Sequence, residues 1–129
     1  MNADFIDKLT PFGWVEHKEC DDNGEEIDDK ISSVSLLLQA GYKDEIFETR
    51  EDEGFEAGGY GWAALAEVFL NEKMPELKDE INFDPEAGMF CAYSSNIEAM
   101  KKFALGLRSM FDDDEMMKDL LSRANDEWL

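Results

Sequence analysis

Trp62, Leu65, Ala66, Phe69 and Leu70 recur at i, i+3, i+4, i+7 and i+8, the spacing of one face of an α-helix. Such a stripe needs an apolar layer to cover it. Ile97, Met100, Phe103, Ala104, Leu107 and Phe111 form a second stripe. Met117, Leu120, Leu121 and Ala124 form a third, with Trp128 following. The intervening runs suit strands: Phe12 to His17, Ile31 to Leu38, Ile81 to Asp84 and Met89 to Ser94. Phe90-Cys91-Ala92-Tyr93 is continuously apolar, which predicts a central, well-covered strand. Strands, a helix, strands and then helices predict an α+β fold. We expect an antiparallel sheet of about four or more strands with helices packed on one face. With no internal repeat and no long linker, residues 1–129 read as a single domain.

Local punctuation refines this outline. Asn23-Gly24 signals a tight turn, so the first two strands read as a hairpin with Asp21, Asp22, Glu25 and Glu26 at its tip. Gly41 closes the second strand. Residues 43–58 are acidic, anchored by Ile46, Phe47 and Phe55, and read as a loop with a short helix or strand near Ile46. Pro75 opens a short helical segment reaching Ile81, and residues 85–88 form a turn. Ser95 with Glu98 predicts a capping box. The acidic run 112–115 interrupts the second helical stripe and starts a last helix.

Charge narrows the possible partners. There are 32 Asp and Glu against 12 Lys and Arg, a net charge of −20. Nucleic acid and anionic membrane surfaces are thereby disfavoured. A basic protein would be attracted, although the acids could equally serve only solubility. Nine Phe, three Trp and three Tyr supply a core, which argues against disorder. No signal-peptide pattern or membrane-length apolar run appears, and Cys20 and Cys91 form no close-spaced pair, so the expected setting is the reducing cytoplasm.

The search for chemistry points away from catalysis. His17 is the only histidine, no GxSxG motif accompanies it, and it reads as the end of a strand. One His with two distant Cys does not make a zinc site. In an EF-hand register with Gly24 at position 6, Lys30 occupies position 12, where a bidentate Glu belongs. Only weak calcium contact at the acidic loops is left open. Gly59 to Ala64 matches a loose GxGxxA, but the acidic residues before it do not form the buried strand a dinucleotide site needs. Its glycines read as a tight turn into the helix, and Met100, Met110 and Met117 read as core. No catalytic residue, cofactor or metal ligand is expected.

Two stretches carry a resemblance. GFEAGGYGWAALA (residues 54–66) and FDPEAGMFCAYS (residues 83–94), in this order and spacing, resemble immunity protein family fifty-one of bacterial polymorphic toxin systems. The similarity runs from about Trp14 to about Asp114. It implies an α+β protein of the bacterial cytoplasm that neutralises a cognate toxin domain by binding it, without catalysis or cofactor. Such a toxin would be basic, with an active-site cleft that an acidic surface could occlude. Candidate contacts are the hairpin tip (Asp21, Asp22, Glu25, Glu26), Glu51-Asp52-Glu53, Asp112-Asp113-Asp114, and Tyr60 as an aromatic anchor. Trp62 lies in the apolar stripe and reads as core. An acidic adaptor or nucleic-acid mimic acting on a basic enzyme outside a toxin system is the competing expectation.

Overall fold

The computed structural model describes residues 3–125, 127 and 128, without the side chains of residues 3 and 26–30. Its elements are α1 (Ala3–Lys8), β1 (Gly13–Cys20), β2 (Glu26–Gln39), α2 (Asp44–Phe47), α3 (Gly59–Lys73), β3 (Asn82–Phe83), β4 (Met89–Ser94), α4 (Ile97–Phe111) and α5 (Asp114–Leu121). Two 3-10 turns lie at Glu48–Glu53 and Pro75–Leu77. All four strands pair antiparallel in the order β1-β2-β4-β3, giving the expected α+β architecture.

Register decides which side chains enter the core. Trp14 faces Leu36, Ala92 faces both Leu36 and Phe83, and Phe90 faces Leu38. Trp14, Leu36, Ala92, Phe90 and Leu38 are all buried, and Phe83 is partly buried. α3 and α4 pack on this side of the sheet. Trp62 is its hub: the ring stacks on Phe111 at 6.1 Å, lies 5.6 Å from Phe47, and donates from Nε1 to the Tyr42 carbonyl at 3.2 Å. The stripe Trp62, Leu65, Ala66, Phe69 and Leu70 is buried throughout, as are Met100, Met110 and Met117.

Several local expectations are corrected. The 90–93 run is covered on one face only: Phe90 and Ala92 are buried, whereas Tyr93 is 40% exposed. The cap of α4 is Asn96, whose side chain accepts from the Ala99 N–H at 3.1 Å, and not Ser95. Ser94 Oγ accepts from the Asn96 N–H at 2.9 Å and positions that cap. The segment after Pro75 makes one 3-10 turn and stops at Leu77, short of Ile81. The last helix ends at Leu121, with Ala124 buried in the turns beyond. β1 and β2 run longer than their apolar cores suggested, because a register shift between His17 and Lys18 lets pairing continue to Cys20. His17 therefore lies inside β1.

Candidate functional site: an acidic cleft

The candidate site grows out of residues 43–58. Ile46, Phe47 and Phe55 are each buried to within 1% exposure, which fixes the inner side of the segment and turns its acids outward. Lys43 starts α2 with φ 67, and Gly54 ends the following 3-10 turn with φ 93. The result is a cleft of about 650 Å³ whose lining includes Asp44, Glu48, Glu51, Asp52 and Glu56. Phe47 and Phe55 lie at its base, and Ala87 closes it from the β3–β4 turn. Among the described residues, no Lys or Arg lines it. A smaller hollow of about 220 Å³ adjoins it, sharing Glu56, Gly58 and Ala87 and adding Tyr60.

The glycines at the start of α3 make this junction possible, though not by unusual backbone angles. A Cβ on Gly59 would sit 1.8 Å from the Glu86 carbonyl oxygen, and one on Gly61 would sit 1.9 Å from that of Glu56. Close backbone approach, not turn geometry, is their physical role. The Gly59 N–H donates to Ala87 O at 3.2 Å, joining the helix start to the β3–β4 turn.

The cations nearest in sequence are directed elsewhere. Lys43 Nζ pairs with Asp114 at 2.9 Å and lies 4.7 Å from the Phe111 ring centroid. Arg50 Nη1 donates to the carbonyls of Leu121 and Ala124. Its Nε and Nη2 donate to Glu53, whose carboxyl this bond holds below its ordinary range.

The predicted contact residues therefore separate. Glu51, Asp52 and Tyr60 come together around the cleft and its neighbouring hollow, while Glu53 turns to Arg50. At the hairpin tip, Asp21 Oδ1 accepts from the N–H groups of Asn23 and Glu25, both at 2.9 Å. Asp22 and Glu25 are exposed, and the side chain of Glu26 lies outside the described residues. Asp112 forms an ion pair with Arg108 at 2.8 Å that lacks hydrogen-bond alignment. Asp113 caps α5 by accepting from the Met116 N–H, and Asp114 holds Lys43. Each acid of the 112–114 run thus has an internal contact as well as exposure. Sequence reasoning missed Asp44, Glu48 and Glu56. The available signal was the four-residue recurrence of acids at 44, 48, 52 and 56, although the helical segment ends before Glu56.

Among the described residues, no group of three His, Cys, Asp or Glu could hold a metal ion. His17 Nε2 lies 2.9 Å from Ser35 Oγ, and among the described residues no carboxylate bonds to its ring to complete a triad. No helix among them is long and apolar enough to cross a membrane.

The family model described as Immunity protein 51 matches residues 25–126. The chain belongs to the immunity protein 51 family. No match was found among curated proteins or among solved structures. The matched region contains the whole acidic cleft and Tyr60, together with β2 to α5. Membership of an immunity protein family implies a protein partner, a toxin.

Proposed function

We propose that this member of the immunity protein 51 family acts in the bacterial cytoplasm, neutralising a cognate polymorphic toxin by direct binding and not by catalysis. The cleft carries the reading. Among the described residues, five carboxylates share a concave surface with no cation in its lining. Such a surface favours a basic partner, raises the association rate and fixes orientation. The hairpin tip, with Asp21, Asp22 and Glu25 exposed and Glu26 next in sequence, is the part that would enter a basic active-site cleft on the toxin. The concave site suits a projecting basic segment, with Tyr60 beside it as the aromatic contact.

Co-expression with the neighbouring toxin gene tests the function: the chain should restore growth. Two variant sets then separate the surfaces. Glu51→Gln with Asp52→Asn and Glu56→Gln should slow association at least about tenfold and flatten its salt dependence. Asp22→Asn with Glu25→Gln should act alike only if the hairpin tip enters the complex. An on-rate independent of salt for the unmodified chain would remove the electrostatic part, and failure to protect would remove the function.

A further inference from the structure

The sheet has a second face that the helices leave open. Where the pairing is regular, short of the register shifts beyond His17, its outward positions are 13, 15 and 17 on β1; 33, 35, 37 and 39 on β2; 82 on β3; and 89, 91 and 93 on β4. None of them holds Asp, Glu, Lys or Arg, although charged residues make up 34% of the chain. An open antiparallel sheet ordinarily carries polar, solvated residues outward. Here Val15, Ser35 and Tyr93 form one row across the strands. Val15 and Tyr93 are 39% and 40% exposed, while Ser35 between them is only 9% exposed. Its hydroxyl lies 2.9 Å from His17 Nε2. The polar groups at the centre therefore satisfy one another and do not require water. Leu37 lies in the next row between Gly13 and Cys91 and is half-buried.

We propose that this uncharged face is where two copies of the chain meet, sheet against sheet, in a dissociable two-fold dimer. The charge distribution selects the occupant. Copies carrying −20 each repel wherever their acids face one another, and this surface has none at its centre. Asp84 and Glu86 stand close to Cys91 at one edge, and they weaken the contact without crossing it. A basic partner finds nothing here to attract it, and the acidic cleft lies in another part of the chain. Three strands spaced about 4.8 Å apart, with about six residues each, and the two residues of β3 give a footprint of roughly 300 Å² per copy. That is below the size of a stable interface and fits a weak, transient contact. Screening the mutual repulsion should strengthen the dimer, so salt acts on it opposite to its expected effect on toxin binding.

Sedimentation equilibrium of the full chain, without toxin, at about 0.02 M and about 0.5 M salt tests this. The expected result is a concentration-dependent rise towards twice the chain mass, stronger at high salt. Tyr93→Glu and Val15→Glu each place a carboxylate on the face, at side chains already exposed, and should raise the dimer Kd at least about tenfold. Leu105→Glu, at a side chain 44% exposed on α4, should leave it unchanged. Thermal melting confirms that the variants fold. A monomer at every concentration and salt overturns the proposal, as does a dimer indifferent to both sheet substitutions. Protection of the sheet-face amides only when a basic protein is added overturns it as well, by assigning the surface to that partner.

Discussion

Arg50 Nη1 donates to the Leu121 carbonyl at 2.7 Å, linking the acidic segment to the last turn of α5. The same nitrogen reaches the Ala124 carbonyl, and the guanidinium lies 4.3 Å from the Phe55 ring centroid. The Leu121 carbonyl also accepts from the Ala124 N–H at 3.0 Å, so Arg50 adds a second donor at the helix end and one to the Ala124 carbonyl in the turn beyond it. Arg50 is also the only cation between residues 44 and 58. Because it is turned inward, the cleft acids beside it stay uncompensated. Removing it should therefore cost stability. Arg50→Ala is expected to lower unfolding free energy by about 1–3 kcal/mol in urea titrations, from lost charge-assisted bonds. Arg50→Lys should recover little, since an ammonium lacks the planar fork that serves several acceptors together. A variant as stable as the parent would show that this bridge contributes nothing.

The glycines at the start of α3 differ sharply in what they tolerate. Gly59→Ala and Gly61→Ala each drive a methyl into a backbone carbonyl, at 1.8 Å and 1.9 Å respectively, with no flexible side chain to yield. Each should destabilise by about 2 kcal/mol or more, or prevent folding. Gly88→Ala is the contrast: nothing lies within 4 Å of its Cβ, and it has no positive φ. There the smaller entropy of the unfolded chain should make the change neutral or stabilising, by about 0.4–1 kcal/mol. Thermal melts of the three variants, compared side by side, decide whether close approach is the reason for the GGYG sequence.

Much of the fold was legible because its helices are long and their stripes regular. Trp62 to Leu70 and Ile97 to Leu107 point the same way under propensity, periodicity and burial. What stayed hidden depended on distant neighbours. α1 is six residues long, too short for a pattern, and the edge-on contact of Phe5 with Trp14 at 5.0 Å packs it against the sheet. Ser95 and Asn96 are both competent caps, and the bond from the Asn96 N–H to Ser94 Oγ distinguishes them. Tyr93 sits in an apolar run, yet its outward orientation follows from pairing with Ser35. The cleft is a mixed case. The spacing of Asp44, Glu48, Asp52 and Glu56 was visible, but Ala87 reaches the same wall from a turn far along the chain.

Acids gathered without a cation repel one another, so the cleft should be maintained at some cost to folding. Asp44, Glu48 and Asp52 all line the cleft, although the non-helical backbone at Arg50 takes Glu48 and Asp52 off a common helix face. Neighbouring like charges on a helix surface destabilise by about 0.2–0.5 kcal/mol per pair, and acids sharing one concave wall should repel on a similar scale. Glu48→Gln, which relieves both neighbours, should therefore stabilise the chain by a few tenths of a kcal/mol at low salt, up to about 1. The gain should shrink as salt screens the parent's repulsion. A loss of stability, or a gain indifferent to salt, would show that Glu48 makes a favourable contact and is not held there for a partner.

The opposite arrangement exists at Arg123, and it predicts a pH dependence with a definite sign. Its guanidinium donates to Glu72 at 2.7 and 2.8 Å and to Asp119 at 2.9 Å, tying α3 to α5. These bonds hold both carboxyls below their ordinary values of 4.5 and 3.8. The folded pKa is thus lower than the unfolded one, and folding is favoured wherever the carboxylates are ionised. The contribution is fully present above pH 4.5 and fades as pH falls through the depressed folded values. Arg123→Gln should let both carboxyls titrate nearer their ordinary values, seen by carbon NMR of the side chains. It should also flatten the acid limb of the stability curve while changing stability near neutral pH only slightly, because these groups are solvent-exposed. Unchanged titration of Glu72 and Asp119 in the variant would separate their acidity from Arg123.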